Sequence, residues 1–149
     1  MSAVTITRTL PASRDRVWRA FTDPIEYARW FWPPRFAATY AIDPVVGGRW
    51  RVASGPTGMA VGGGFTSVVG AERLAYTWRW DGEKIETRVT IEFADAGDGA
   101  TTLRLEHDGF PDDDEARSHE QGWRDCLDRL PAALADPPAD PAPSSESSP

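Results

Sequence analysis

The spacing of apolar residues changes twice along this chain, and the change restricts the fold that the chain can adopt. Over Ala3–Leu10, apolar and polar residues alternate as they do in a half-buried strand. Over Ser13–Phe31 the apolar residues follow a helical spacing, which Asp23 and Pro24 divide into two short helices. Over Arg35–Asp108 the alternation returns in six further segments, separated by glycine-rich turns. These segments predict one strand, two helices and six more strands.

A last helix closes the predicted order of elements. Apolar side chains recur along one stripe over Asp112–Leu130, and an acidic first turn suits the positive end of the helix dipole. Pro131 cannot donate the next backbone hydrogen bond, so the helix is expected to kink or stop near Leu130. We therefore predict an α+β fold, a curved seven-stranded antiparallel sheet with two short helices and a long C-terminal helix over it. One helix cannot cover the whole sheet, so a ligand cavity is expected between the two.

Length and charge limit the organisation and the partners of the chain. With 149 residues, one domain is expected, and we place it at residues 1–135. Residues 136–149 are predicted to be a disordered tail, because from Pro137 onward the sequence holds five Pro, four Ser and no aliphatic side chain larger than Ala. The net charge of −7 argues against nucleic acid or an anionic membrane as a partner. Without a long apolar run, no membrane span is expected.

The cysteine content and the N-terminus indicate the compartment. Cys126 is the only cysteine, which forbids an internal disulfide and is compatible with a reducing environment. The first residues lack the basic and apolar regions of a signal peptide. We therefore expect a cytoplasmic protein. Its basic residues are almost all Arg, with Lys84 the one Lys, and Ala, Gly and Pro are abundant, as is typical of a GC-rich bacterial genome.

Five segments in collinear order resemble the SRPBCC superfamily, which has the START-like or helix-grip fold of birch-pollen-allergen-like proteins. The segments are LPASRDRVWRAFTDPIEYARWF, VVGGRW, ERLAYTWRW, GATTLRLEHDGF and GWRDCLDRL, and together they cover roughly residues 4–134. They are most similar to the branch related to the C-terminal domain of the activator of the 90-kDa heat-shock-protein ATPase. The resemblance implies a deep cavity between sheet and C-terminal helix. It also implies lipid, sterol, polyketide or hormone binding there, cyclase or hydratase chemistry, or contact with a chaperone.

Aromatic residues are the main candidates for contacts with a ligand. A buried indole needs a partner for its N–H, so rigid aromatic walls with one donor each suit an apolar or aromatic ligand. The alternative is that the same rings are ordinary core. The candidate ligand-binding residues, the two histidines included, are Trp30, Trp50, Phe65, Tyr76, Trp78, Trp80, His107, His119 and Trp123.

The two histidines and the cysteine are the candidates for a catalytic acid, base or nucleophile. Either His107 or His119 could point into the cavity as a general acid or base, or each could lie at the surface or the cavity rim. Cys126 lies seven residues after His119 on one helix, roughly 10 Å along its axis, which is too far for a nucleophile and its base. Two His and one Cys do not make a zinc site, and the acidic run at residues 112–115 lacks the pattern of a calcium loop. No catalytic residue, metal or other cofactor is assigned.

Three functions follow as hypotheses. The first is a binding module for a hydrophobic or aromatic small molecule, without established catalysis. The second is a chaperone-linked interaction protein, and the third is a lyase or cyclase of the polyketide type that uses one of the histidines. Charged side chains alternate with the apolar ones and should face solvent, either as cross-strand ion pairs or as a protein-binding patch. They are Arg49, Arg51, Arg79, Arg88 and Arg104, with Glu86, Glu92 and Glu106.

Overall fold

The computed structural model describes residues 2–137, and their elements form one sheet with helices on its inner face. The strands are β1 (Ser2–Leu10), β2 (Ala38–Ile42), β3 (Arg49–Ser54), β4 (Ala60–Val69), β5 (Arg73–Trp80), β6 (Thr87–Gly97) and β7 (Ala100–Phe110). The helices are α1 (Arg14–Thr22), α2 (Pro24–Tyr27) and α3 (Asp113–Ala135), and Pro34–Phe36 forms a single 3-10 turn. All strand pairs are antiparallel, in the order β1-β7-β6-β5-β4-β3-β2. This confirms the predicted architecture.

The helix starts are the predicted ones, and each has a side-chain cap. The Ser13 hydroxyl accepts a hydrogen bond from the Arg16 amide at 3.2 Å at the start of α1. Asp23 accepts from the Ile25 amide at 2.8 Å, with proline in the first position of α2. Asp112 accepts from the amide three residues later at the start of α3. These caps satisfy backbone donors that have no partner within a helix.

The end of α3 differs from the prediction. The helix runs through Pro131 to Ala135, so of the two predicted outcomes near Leu130, a kink or a stop, the stop is wrong. Tertiary contacts stabilise the extra turn, since Leu134 is buried and Arg16 donates to the Ala133 carbonyl at 3.1 Å. Just after the helix, the Asp136 carbonyl accepts a hydrogen bond from Arg16 and the Pro137 carbonyl accepts one from Arg29. The rest of the predicted tail, 138–149, lies outside the described residues.

Two strand boundaries also differ from the alternation in the sequence. Phe36 belongs to the 3-10 turn, and β2 starts at Ala38. Ile85 is 49% exposed and precedes β6, which starts at Thr87. Ile85 follows the alternation of a strand. The pairing of β5 with β6, however, ends at Trp78 and Thr87, so the residues between them form a loop.

The two faces of the sheet have different roles. On the outer face the predicted arginines are exposed, and several form cross-strand pairs, such as Arg88 with Asp108 at 3.0 Å. On the inner face α3 packs against β1 and β7 through its buried stripe. Helix α1 packs against β6 and β7, and the segment after α2 covers the end of β5, where Trp32 stacks on Trp80. This division leaves a groove between α3 and that segment.

Candidate functional site

A groove of about 760 Å³ lies between α3, the end of β5 and the segment that follows α2. Its aromatic lining consists of Phe31, Trp32, Phe36, Trp78, Trp80 and Trp123. Its polar and charged lining consists of Arg35, Glu83, Glu115, Ser118, His119, Asp125, Asp128 and Arg129. Gly122, Met59, Pro33 and Cys126 complete it. A cavity between the sheet and the last helix was predicted from the sequence, and the groove lies there.

The aromatic wall is built from rings in mutual contact. The centroids of Trp78 and Trp123 are 5.4 Å apart, and Phe31 lies 6.0 Å from Trp123. Trp32 and Trp80 stack at 6.1 Å with an interplanar angle of 7°. These rings fill part of the space beneath α3, so the site is a groove with an aromatic wall, in which Trp78 and Trp123 are tilted by 45° to each other.

Five of the nine predicted residues do not line this groove: four core rings and His107. Trp30 is buried and donates its indole N–H to the Ala20 carbonyl at 3.0 Å. Trp50, Phe65 and Tyr76 pack together in the core, with centroid distances of 5.2 Å for Trp50–Tyr76 and 5.6 Å for Phe65–Tyr76. The alternative of ordinary core therefore describes these four rings. Trp78, Trp80, His119 and Trp123 do line the groove.

His107 lies directly behind the wall and is fully buried. Its Nδ1 accepts the indole N–H of Trp123 at 3.0 Å. Its Nε2 lies 2.7 Å from the Thr87 hydroxyl, which donates to the Trp78 carbonyl at 3.3 Å, so Nε2 carries the ring proton. Burial, with a smaller contribution from His119, lowers the pKa of His107 to about 3. His107 is thus neutral, and the surface alternative is wrong for this residue.

His119 is a half-buried residue of the groove wall, again held by an indole. Its Nε2 accepts the Trp80 N–H at 2.9 Å, and its Nδ1 lies 2.9 Å from the Glu115 carbonyl, to which it donates. Both ring nitrogens of both histidines are therefore engaged with protein atoms. This arrangement orients the two tryptophans and offers no free nitrogen for general acid or base chemistry.

Arg129 is a groove residue that sequence reasoning missed. Its Nε donates to the Trp30 carbonyl at 3.0 Å and its Nη2 to the Phe31 carbonyl at 2.6 Å. The Cys126 thiol donates to the same Phe31 carbonyl at 2.7 Å. Burial raises the pKa of Cys126 to about 12, which keeps it a thiol. Together these side chains hold the segment after α2 against α3. The sequence held one signal for this role, since the carbonyls at the end of a helix such as α2 need hydrogen-bond donors from elsewhere.

Among residues 2–137, no group of three or more His, Cys, Asp or Glu side chains is placed to hold a metal ion. Within the same residues, none of the helices has the length and apolar character needed to cross a membrane.

A long C-terminal helix laid across a seven-stranded antiparallel sheet, with an aromatic groove between them, defines the helix-grip class of α+β proteins. The family model AHSA1, described as "Activator of Hsp90 ATPase homolog 1-like protein", matches residues 11–135. The chain belongs to this family. A comparison with curated proteins finds no significant match.

Solved structures support the assignment of the fold. Protein CV1439 from Chromobacterium violaceum is 30% identical, with a TM-score of 0.78 over 91% of this chain and 98% of that one. DynU16, a protein of the dynemicin biosynthetic locus, is 27% identical, with a TM-score of 0.77 over 90% of this chain and 47% of that one. PFC0360w, an HSP90 activator from Plasmodium falciparum, is 21% identical, with a TM-score of 0.73 over 92% and 99%. This last likeness supports the fold alone.

Proposed function

We propose that this protein binds a hydrophobic, aromatic small molecule in the groove between α3 and β5. The observation that carries the proposal is the groove itself, whose volume of about 760 Å³ lies within the range of roughly 300–1,000 Å³ common for small-molecule sites. Its wall of tryptophan and phenylalanine rings suits a flat apolar ligand. The relative from a biosynthetic locus is compatible with such a role.

Two indoles and one backbone segment of the wall are held by hydrogen bonds before any ligand binds, which favours binding. His119 holds the indole of Trp80, and His107 holds that of Trp123. Arg129 holds the backbone that carries Phe31. Few rotamers would have to be ordered on association, so little conformational entropy would be lost.

We also propose a cytoplasmic location, on the basis of the single, buried cysteine.

Gly122 offers a direct test, because it lines the groove and a Cβ added there would meet no atom within 4 Å. Gly122→Leu should place an isobutyl group in the groove without a backbone clash, and it should also favour the helix. Wild-type protein titrated with the neutral dye N-phenyl-1-naphthylamine should show saturable one-site binding, and Gly122→Leu should abolish it. Gln121→Leu, an exposed neighbour that does not line the groove, is the control and should bind like wild type. Undiminished binding to Gly122→Leu would refute the proposal.

The second candidate is interaction with a chaperone. It is favoured by the description of the family and by two exposed valines, Val45 and Val46, in the turn between β2 and β3. The test is the ATPase rate of a bacterial Hsp90 with and without this protein, and with a Val45→Ser/Val46→Ser double variant. Stimulation that the double variant loses would favour this candidate. The third hypothesis, a lyase or cyclase, has less support, because both histidines are already hydrogen-bonded through both nitrogens.

A further inference from the structure

We infer that the groove's ligand is a neutral aromatic compound that carries a carbonyl oxygen, and that this oxygen accepts a hydrogen bond from the indole N–H of Trp78. The inference rests on the proposed function, because it specifies the chemistry of the ligand for that same groove. It comes from one unsatisfied donor and from the charges that surround it.

Trp78 Nε1 is the one buried side-chain nitrogen or oxygen without a hydrogen-bond partner in the part of the chain that the structure describes. Trp78 is 5% exposed and lines the groove. Other buried indoles are satisfied, Trp50 by the Thr77 carbonyl at 2.9 Å and Trp123 by His107 at 3.0 Å. A buried donor left unpaired opposes folding, so the exception at a groove residue needs an explanation.

The neighbouring side chains do not supply an acceptor for this N–H. The rings of His107 and His119 lie 5.0 Å and 6.1 Å from that of Trp78, centroid to centroid. Their acceptor nitrogens are already used, by Trp123 and Trp80 respectively. The other rings around Trp78 include Phe31, which has no acceptor in its side chain. The remaining source of an acceptor is a molecule that enters the groove. Because less than 1 Å² of this nitrogen is accessible, the Trp78 ring, which no hydrogen bond holds, must shift to meet that molecule.

The charges that line the groove indicate that this acceptor is neutral. Four carboxylates line it, those of Glu83, Glu115, Asp125 and Asp128, against the two guanidinium groups of Arg35 and Arg129. Arg129 already donates to two backbone carbonyls. Asp128 is paired with Arg8 at 3.0 Å, and the three other carboxylates still outnumber the guanidinium groups, which disfavours a carboxylate or phosphate on the ligand. A ketone, ester, amide or quinone oxygen satisfies the indole without that repulsion.

Three naphthalenes of similar shape test the inference by calorimetry: 2-acetylnaphthalene, 2-ethylnaphthalene and 2-naphthoate. Trp78→Phe keeps an aromatic ring and removes the N–H. Both compounds lose the same ring contact in this variant, so we expect the preference of wild type for the ketone over the hydrocarbon to fall about five- to tenfold, the scale of one net hydrogen bond. Trp50→Phe removes an indole whose N–H is bonded within the core and should leave both affinities unchanged. Wild type should bind the naphthoate more weakly than the ketone.

A spectroscopic measurement on the wild-type protein covers the case in which Trp78→Phe fails to fold. In ¹⁵N spectra of the indole groups, the ketone should move one Nε1–H signal downfield, and the ethyl compound should not. Equal spectral responses to the two compounds, or the same ketone-over-hydrocarbon preference in Trp78→Phe and wild type, would show that the N–H is satisfied by other means, such as an ordered water. Tighter binding of the naphthoate would overturn the charge argument. If no neutral naphthalene binds saturably to wild type, the proposed function itself fails.

Discussion

The burial of His107 makes the stability of the protein depend on pH in a calculable way. The side chain is 0% exposed and its pKa in the folded state is about 3, against about 6.5 in an unfolded chain. Between these values the unfolded state takes up a proton that the folded state does not. Stability is therefore complete above pH 6.5 and decreases as the pH falls toward 3, at ~1.4 kcal/mol per unit. Across pH 7 to 5, where most carboxylates stay ionised, the loss is about 2 kcal/mol.

Urea unfolding at pH 7, 6 and 5 measures this loss, and His107→Gln isolates its origin. Glutamine can still accept from Trp123 and donate to Thr87, yet it does not titrate. The variant should be less stable than wild type at pH 7, by about 1–3 kcal/mol, because the buried hydrogen bonds are imperfectly replaced. Once the contribution of the other titrating groups is subtracted, its free energy of unfolding should change by less than about 0.5 kcal/mol between pH 7 and 5. His119→Gln, at the groove surface, is the matched control.

The reasoning is refuted by a specific result. If wild type and His107→Gln lose the same free energy of unfolding between pH 7 and 5, then His107 does not carry the pH dependence. An NMR titration gives an independent check, since the ring protons of His107 should show no inflection above pH 4 in the folded protein. An inflection near pH 6.5 would mean that the ring is solvated and that its bonds to Trp123 and Thr87 are not maintained.

Two more predictions concern the same wall. Trp123→Ala should lower the free energy of unfolding by ~3–5 kcal/mol, because a ring that is 2% exposed is removed along with the partner of His107; urea unfolding measures it, and a loss below ~1 kcal/mol would show poor packing. Cys126 should not react with Ellman's reagent at pH 8 in the folded protein, since its thiol is buried with a pKa of about 12, and it should react at once in urea; immediate reaction of the native protein would contradict the burial.

The sequence predicts the order of the elements because each boundary has a local cause. Ser13 and Asp23 mark helix starts through caps that need only their own neighbours in the chain. The end of α3 is not predictable in this way, since the turn beyond Pro131 is stabilised by Arg16, more than 110 residues away in the sequence. Ile85 follows the alternation of a strand but lies where the partner strand has ended. Long-range contacts override local preference in both places.

The site is predicted less completely, for a related reason. Alternation assigns Tyr76 and Trp78 to the same face of β5, and this assignment is correct. It does not say which ring packs within the core and which lines the groove, because that depends on where α3 and the segment after α2 cross the sheet. Arg129 was missed because it acts on the carbonyls of Trp30 and Phe31, which are distant in sequence. A helical pattern alone gives no indication of such a partner.

The tryptophans around the groove differ in what their N–H groups do, and this difference separates two rings that are held in place from one whose N–H has no partner in the protein. Trp80 and Trp123 are bonded to imidazoles, which fixes the orientation of both rings and makes leucine or phenylalanine an incomplete substitute at either position. Trp78 is packed as closely, but its N–H is unpaired, so a phenylalanine there would lose part of the ring and leave no buried donor. Hydrogen bonding alone would therefore favour phenylalanine at position 78. The indole is explained if its N–H is used by a ligand, which is the step that the Trp78→Phe comparison isolates.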